Sequence, residues 1–310
     1  MPPVSLPGRI FKQTMQNPPI CNYEGSDYQQ SFWEQGSRAY EDAVEAIALK
    51  RLLPKSGRHL LELGAGAGRN TPRYQQYRQV TLVDYSSTQL QQAQQRLGVS
   101  ERYRFVVADI YHLPFVEGIF DAATMIRTLH HMADALLALQ QVRRTLEPRA
   151  TFILEYANKR NLKAMLRYFL GRQSWSPYTP EQVEFAALNY DFHPKTVDRL
   201  LNEARFSVER TLTVSHFRMG ALKKIIPLKM LVWLDSLLQP TGSWLKVTPS
   251  VFTRTTAVGQ TPLAPAGAFF QCPACASGTL EDTPPELHCS QCGRAYPVKD
   301  GIYDFRLDLE

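Results

Sequence analysis

Four cysteines stand in two close pairs, Cys272-Pro-Ala-Cys275 and Cys289-Ser-Gln-Cys292, with thirteen residues between the pairs. Two C-x2-C knuckles at this distance let four thiolates surround one Zn2+ tetrahedrally. Four sulfurs leave no open position, so such a metal is structural, not catalytic. The fifth cysteine, Cys21, is alone and reads as a free thiol without a role. An odd count also argues against a disulfide framework.

A second group could hold an anionic or polar ligand. Glu62-Leu-Gly-Ala-Gly-Ala-Gly68 follows an apolar run, and glycines there let the backbone turn sharply and bring N–H groups close to a ligand. A dinucleotide fold would want a third glycine at position 69, which is Arg69. The spacing is instead Gly64, Gly66 and Gly68, with the acid Glu62 before it. Two more acids follow apolar runs, in Leu82-Val-Asp-Tyr-Ser86 and in Val107-Ala-Asp-Ile-Tyr-His-Leu-Pro-Phe115. A glycine turn alone is often only a turn, and an aspartate at a strand end is often only solvated. Three such features in register favour a ligand.

The elements that must carry these residues alternate. Strands are expected at 59–63, 80–83, 103–108, 122–126 and 151–156. Helical patterns lie between them over 69–77, 87–97 and 134–146. This rhythm implies right-handed βαβ crossovers and a parallel sheet. Two further strands, 206–216 and 251–257, bring the expected count to seven, a Rossmann-like, mostly parallel α/β sheet with helices on both faces. A helix over 28–53 precedes the sheet, another over 194–204 follows it, and His193 before Pro194 reads as a helix-entry residue. The division is an irregular arm at 1–25, a main domain at 26–258 with a helical insertion near 219–246, a Pro/Gly/Ala linker at 259–268, and a small domain at 269–310.

The three acid and glycine segments, in this order and at these distances, resemble the class I S-adenosylmethionine-dependent methyltransferases, most closely the ubiquinone/menaquinone C-methyltransferase type. The resemblance covers about residues 25–215 and weakens toward 257. It implies that Asp84 accepts from the ribose hydroxyls, that Asp109 accepts from the adenine amino group, and that Ile110 packs on the ring. It also brings Glu62, Tyr85 and Arg127 to the cofactor site and folds the N-terminal helix over it, so that Tyr40 reaches the methionine end. Tyr28 and Trp33 are further aromatic candidates on that helix. In Ile126-Arg-Thr-Leu-His-His-Met132, His130 and His131 are candidate general bases, with packing as the competing role. One departure is Pro148-Arg149-Ala150, where the family often has Pro-Gly-Gly. The segment Gly293-Arg-Ala-Tyr-Pro-Val-Lys-Asp-Gly-Ile302 after the second knuckle resembles the small zinc ribbon that, as a separate protein, activates RNA- and protein-directed methyltransferases. Here it would be a copy fused in cis, covering an apolar surface of the catalytic domain. The implied ligands are S-adenosyl-L-methionine, leaving as S-adenosyl-L-homocysteine, and one structural Zn2+.

Composition narrows the rest. At 310 residues, 44% hydrophobic and 21% charged, the chain is neither disordered nor a coiled coil. The net charge of +6 is unevenly placed: residues 159–246 hold 14 basic and 7 acidic residues, whereas 271–310 hold 3 and 7. The first segment also carries Phe169, Trp175, Tyr178, Trp233 and Trp244. Basic residues among aromatics suit RNA by phosphate contact and stacking. The apolar run at 222–238 suits instead a pocket, or a peripheral membrane contact, for a small-molecule or lipid-like acceptor. Ordinary packing with lysines solvated is the plain alternative. The small-molecule acceptor is preferred over RNA, and a non-catalytic cofactor-binding scaffold is the alternative of another class. The run at 225–238 is shorter than the ~20 residues that span a bilayer and holds Lys229 and Asp235, so no transmembrane segment is expected. With no signal peptide at the start, the expected compartment is the cytoplasm.

Overall fold

The computed structural model describes residues 18–26, 38–276 and 279–307. Tyr28, Trp33 and most of the expected arm lie outside the described residues. The main body begins with helix α1 (Ala39–Leu52) and strand β1 (Gly57–Leu63), followed by β2 (Tyr77–Asp84), α2 (Ser87–Leu97), β3 (Tyr103–Val107), β4 (Phe120–Met125), α3 (Ala135–Thr145) and β5 (Leu146–Ala157). Then come α4 (Leu162–Phe169), a hairpin of β6 (Val183–Ala186) and β7 (Asn189–Asp191), α5 (Pro194–Glu203), β8 (Phe206–Val214), α6 (Gly220–Ile225), α7 (Leu228–Leu238) and β9 (Ser250–Ala257).

Local chemistry sets several of these ends. The Ser86 hydroxyl accepts from the Gln89 N–H to cap α2, which stops at Gly98 in the left-handed region. Asp134 caps α3, and Asn161 caps α4, through the N–H groups of Leu137 and Ala164. His193 caps α5 by accepting from the Lys195 N–H, with Pro194 opening the helix. One expected helix is absent. Between Gly68 and Tyr77 there is only a short 3-10 turn, Thr71–Arg73, because β2 begins at Tyr77 and leaves too little chain for a helix.

Seven strands run in the order β3-β2-β1-β4-β5-β9-β8. The first five are mutually parallel, and β9 is antiparallel to both β5 and β8. Both faces are covered, as parallel strands require. Leu61 and Leu63 pack in the layer that holds α3 and α5, and Leu60 packs with Leu90 and Ala93 of α2. A third cluster joins Val44, Ala48 and Leu49 of α1 to β8, β9 and Leu231 of α7.

The sheet does not end at seven strands. The cysteine-bearing region forms β10 (Phe270–Gln271), β11 (Thr279–Leu280), β12 (Glu286–His288), β13 (Ala295–Lys299) and β14 (Ile302–Asp304). Strand β14 pairs in parallel with β3, Ile302 opposite Phe105 and Asp304 opposite Val107, so β12-β13-β14 extend the sheet to ten strands. Phe270 packs within 4.8 Å of Phe305 and near Phe115, with Arg104 lying 4.0 Å over the Phe269 ring. The residues before β10 are held as well: Arg143 donates to Thr261 and to the Val258 carbonyl. Ribbon and main body thus share one hydrophobic cluster.

Candidate cofactor and acceptor site

The glycine loop leaves β1 with Gly64, Gly66 and Gly68 all at positive φ. At Gly64 the requirement is also steric, since a Cβ there would lie 2.1 Å from the Thr128 hydroxyl oxygen. The loop enters the 3-10 turn, not a helix. Its Gly66 N–H donates to Asp84 at 2.9 Å, and the other Asp84 oxygen accepts from the Ser86 N–H at 3.0 Å. Burial pushes the Asp84 carboxyl up, while the Ser86, Gly66 and Tyr85 amides oppose that shift. Asp109, at the end of β3, accepts from the Tyr111 N–H and from His112, both at 2.9 Å.

Among the sequence-predicted residues, Gly64, Gly66, Asp84, Tyr85, Asp109, Ile110, Arg127 and His131 line one cavity. Of the residues expected at the cofactor, three stand elsewhere. Tyr40 is buried between α1 and α7, donates to Asp235 at 2.6 Å and accepts from the Phe217 N–H at 2.9 Å. It does not line the cofactor cavity, because its side of α1 packs against α7 instead of the loop. Glu62 lies beneath the loop, where it accepts from the Thr71 hydroxyl at 2.6 Å; burial pushes its carboxyl up to about 7. Gly68 is backed by Leu97 and Ala93 of α2 and serves the packing of the turn. The cavity also takes Ile20, Cys21 and Tyr23 from the N-terminal arm, so the free thiol of Cys21 lies in its lining.

A second cavity adjoins the first, and Tyr23, Arg127 and His131 line both. Arg127 has φ +56°, its N–H donates to Glu155 at 2.9 Å, and its guanidinium donates to Glu45. His131 donates from Nδ1 to the Leu188 carbonyl at 3.0 Å, which leaves Nε2 to accept from the Tyr23 hydroxyl at 3.3 Å. Burial lowers the His131 pKa, and it lowers that of His130 further, helped by His131, Arg127 and Arg218. Both are therefore neutral rings at pH 7, and His131 has no nitrogen free for an acceptor. His130 lines only the second cavity.

Sequence reasoning missed Asp191, at the end of the β6–β7 hairpin, and Arg218, which line this second cavity. Burial pushes the Asp191 carboxyl up to about 6; Arg218 and Lys159 oppose the shift and Glu155 adds to it. The Asp191 carboxyl has no hydrogen-bond or ion-pair partner among the described residues, whereas Glu155 is tied to Ser250 and to the Arg127 N–H.

At the far edge of the sheet the four cysteine sulfurs lie within 4.8 Å of one another. The Cys272–Cys292 and Cys275–Cys289 pairs are 3.7 and 3.6 Å apart. Tetrahedral Zn–S bonds of about 2.3 Å would separate sulfurs by about 3.8 Å, so the four thiols fit that ion. The Tyr296 hydroxyl stands 3.0 Å from the Cys272 sulfur, positioned to donate to a thiolate.

Known proteins bear on both halves. Residues 61–154 match the family described as a methyltransferase domain, and residues 268–301 match the Trm112p-like protein family. An O-methyltransferase of Penicillium expansum is 28% identical over 159 residues, covering 47% of this chain and 56% of that protein. Demethylmenaquinone methyltransferase of Chlamydia trachomatis is 38% identical over 104 residues, covering 33% and 44%. The chain spans about half the length of the curated relatives it matches. Among solved structures, the Haloferax volcanii Trm112 methyltransferase activator in complex with a methyltransferase aligns at TM-score 0.53 and 15% identity, covering 75% of this chain and 96% of that one. An S-adenosylmethionine-dependent methyltransferase from Listeria monocytogenes aligns at 0.52 and 16%, covering 71% and 99%. These likenesses show a Rossmann-like fold, and the chain carries a methyltransferase domain at 61–154 followed by a Trm112p-like zinc-ribbon domain at 268–301.

Proposed function

We propose that the chain transfers a methyl group from S-adenosylmethionine to a small-molecule or lipid-like acceptor, with a structural Zn2+ in the ribbon. The observation that carries this reading is the junction of two cavities at Tyr23, Arg127 and His131. One cavity has the glycine loop with Asp84 and Asp109; the other has an unpartnered carboxyl, Asp191. The curated relatives named O-methyltransferase and demethylmenaquinone methyltransferase support a small acceptor.

The cofactor supplies an electrophilic methyl on a sulfonium, which leaves as a neutral thioether when a nucleophile displaces it. The protein's work is to orient the acceptor and exclude water. Asp84 accepts from the ribose hydroxyls, while Asp109 and Ile110 hold the adenine by its amino group and its face. Tyr23 and His131, tied to each other and to the Leu188 carbonyl, line the junction between the cavities. Asp191 takes the acceptor's hydroxyl proton at a carboxylate oxygen, with Arg218 and Lys159 favouring its ionised form.

Calorimetry with S-adenosylhomocysteine tests this reading. The wild-type chain binds, and Asp84→Ala weakens binding at least about tenfold, the loss expected for a charge-assisted hydrogen bond. Absence of binding by the wild type would sink the methyltransferase reading and leave the scaffold alternative without its ligand as well.

A further inference from the structure

Among the described residues, most exposed large apolar side chains gather in one part of the chain, between Leu162 and Leu245. Helix α4 buries only Ala164. Its Leu166 and Phe169 face solvent, the latter 85% exposed. On α6 and α7, Ile225 is 79% exposed and Trp233 is exposed too, while Trp244 beyond them is 89% exposed. A core helix would turn such residues inward, so these elements carry an apolar face that the described residues do not cover.

The charges on α4 and on α6–α7 have one sign, whereas the β6–β7 hairpin carries Glu184 and Asp191 and no cation. Residues 159–180 contain no acid, and residues 218–246 contain only Asp235. That acid is buried and consumed by Tyr40 and His216. Lys163, Arg167 and Arg172 accompany the apolar residues of α4, and Lys224 and Lys229 those of α6 and α7, all of them exposed. Exposed apolar side chains interleaved with cations alone complement an anionic lipid surface.

These elements also leave from the rim of the second cavity. Asn161, the cap of α4, lines it, as does Phe185 of β6, and Arg218 stands two residues before α6. The Leu162 N–H bonds to the Val247 carbonyl, which brings the Trp244–Leu245 segment beside the start of α4.

We propose that α4, α6–α7 and Trp244 form a face that docks on an anionic lipid bilayer and opens the acceptor cavity toward it. This extends the expected contact at 222–238 to elements on the other side of the cavity. It rests on the reading of that cavity as the acceptor's.

Sedimentation of the full chain with vesicles tests it. With phosphatidylcholine containing about a quarter phosphatidylglycerol the protein pellets, and with phosphatidylcholine alone it stays in solution. Phe169→Glu and Trp233→Glu each lower the partition about tenfold, and Lys163→Glu combined with Arg167→Glu does the same at low salt. Affinity for S-adenosylhomocysteine is unchanged in all of them, which separates loss of docking from loss of the fold or of the methyltransferase reading. No pelleting with the anionic vesicles, or pelleting that the variants leave intact, overturns the proposal. So does light scattering that finds a dimer which Phe169→Glu dissociates, because a second copy would then cover the face.

Discussion

Arg306, just beyond the last strand of the ribbon, reaches Glu24 of the N-terminal arm with Nη1 3.5 Å from Oε2. Glu24 also accepts from the Ser87 and Thr88 N–H groups at 2.9 and 3.1 Å, at the first turn of α2. That turn begins three residues after Asp84. One carboxylate therefore ties the ribbon end, the arm and the strand end that carries Asp84. Burial disfavours its charge, but the Thr88 and Ser87 hydroxyls and amides outweigh this and hold its pKa below the ordinary range.

Replacing Glu24 should loosen the arm without unfolding the sheet. The exposed ion pair with Arg306 contributes little, about 0–1 kcal/mol, so the helix-end bonds matter more. Glu24→Ala is expected to weaken S-adenosylhomocysteine binding by about fivefold, because Ile20, Cys21 and Tyr23 of the arm line that cavity. Arg306→Ala should change it by less than about twofold. Calorimetry on both variants measures the two effects, and equal losses would contradict this ranking.

The ribbon should be needed by the whole body and not only by itself. Its β14 covers the edge of β3, and Phe270 and Phe305 complete the cluster around Phe115 and Phe120. Metal analysis should find about one zinc per chain. Cys289→Ser or a strong chelator should lower the unfolding temperature of the whole chain in one transition and promote aggregation through the bared edge. A separate low-temperature ribbon transition, with the main body unchanged, would show that the shared cluster carries little stability.

Glu62 predicts a stability change with pH. Its folded pKa of about 7 lies above the unfolded value of 4.5, so between those values the folded state holds the proton more tightly. Stability is therefore full below about pH 4.5 and falls as pH rises toward 7, by on the order of 2–3 kcal/mol. Glu62→Gln keeps an acceptor for the Thr71 hydroxyl and removes this ionisation. Urea unfolding at pH 5 and pH 8 should find the variant near wild type at the lower pH and more stable at the higher one. An equal difference at both pH values would mean that Glu62 does not titrate in this window.

What could be read from residues alone was what is local. The glycine turn, Asp84, Asp109 and the two knuckles each depend on a few neighbouring positions, so their spacing carries the signal. Tyr40 packs on α7 and not at the glycine loop because an N-terminal helix can turn either side to that loop, and α7, which claims that side, arrives nearly two hundred residues later. Asp191 carried no local signal: its place in the same cavity as Arg127 depends on the hairpin being drawn to the end of β5 through the Asn158–Phe192 bridge. The pairing of β14 with β3 did leave a trace. Phe105-Val-Val-Ala108 is apolar without alternation, the pattern of a strand covered on both faces, and such a strand makes a poor free edge.

Asp191 offers the sharpest test of the chemistry. In its cavity Glu155 is consumed by Ser250 and the Arg127 N–H, and His131 by Leu188 and Tyr23. His130 has a pKa well below the ordinary imidazole value, and Arg127 and Arg218 are cations, which leaves Asp191 as the carboxylate able to receive a proton. With a phenolic acceptor, kcat/KM should rise with pH through about 6, as Asp191 ionises, and then level off. Asp191→Asn should remove that limb and lower the plateau by about 10²–10⁴-fold, the range for loss of a general base. S-adenosylhomocysteine affinity should stay unchanged, because Asp191 does not line the cofactor cavity. If the limb survives in Asp191→Asn and disappears in His130→Gln, the histidine is the base and the carboxylate only fixes the charge around it.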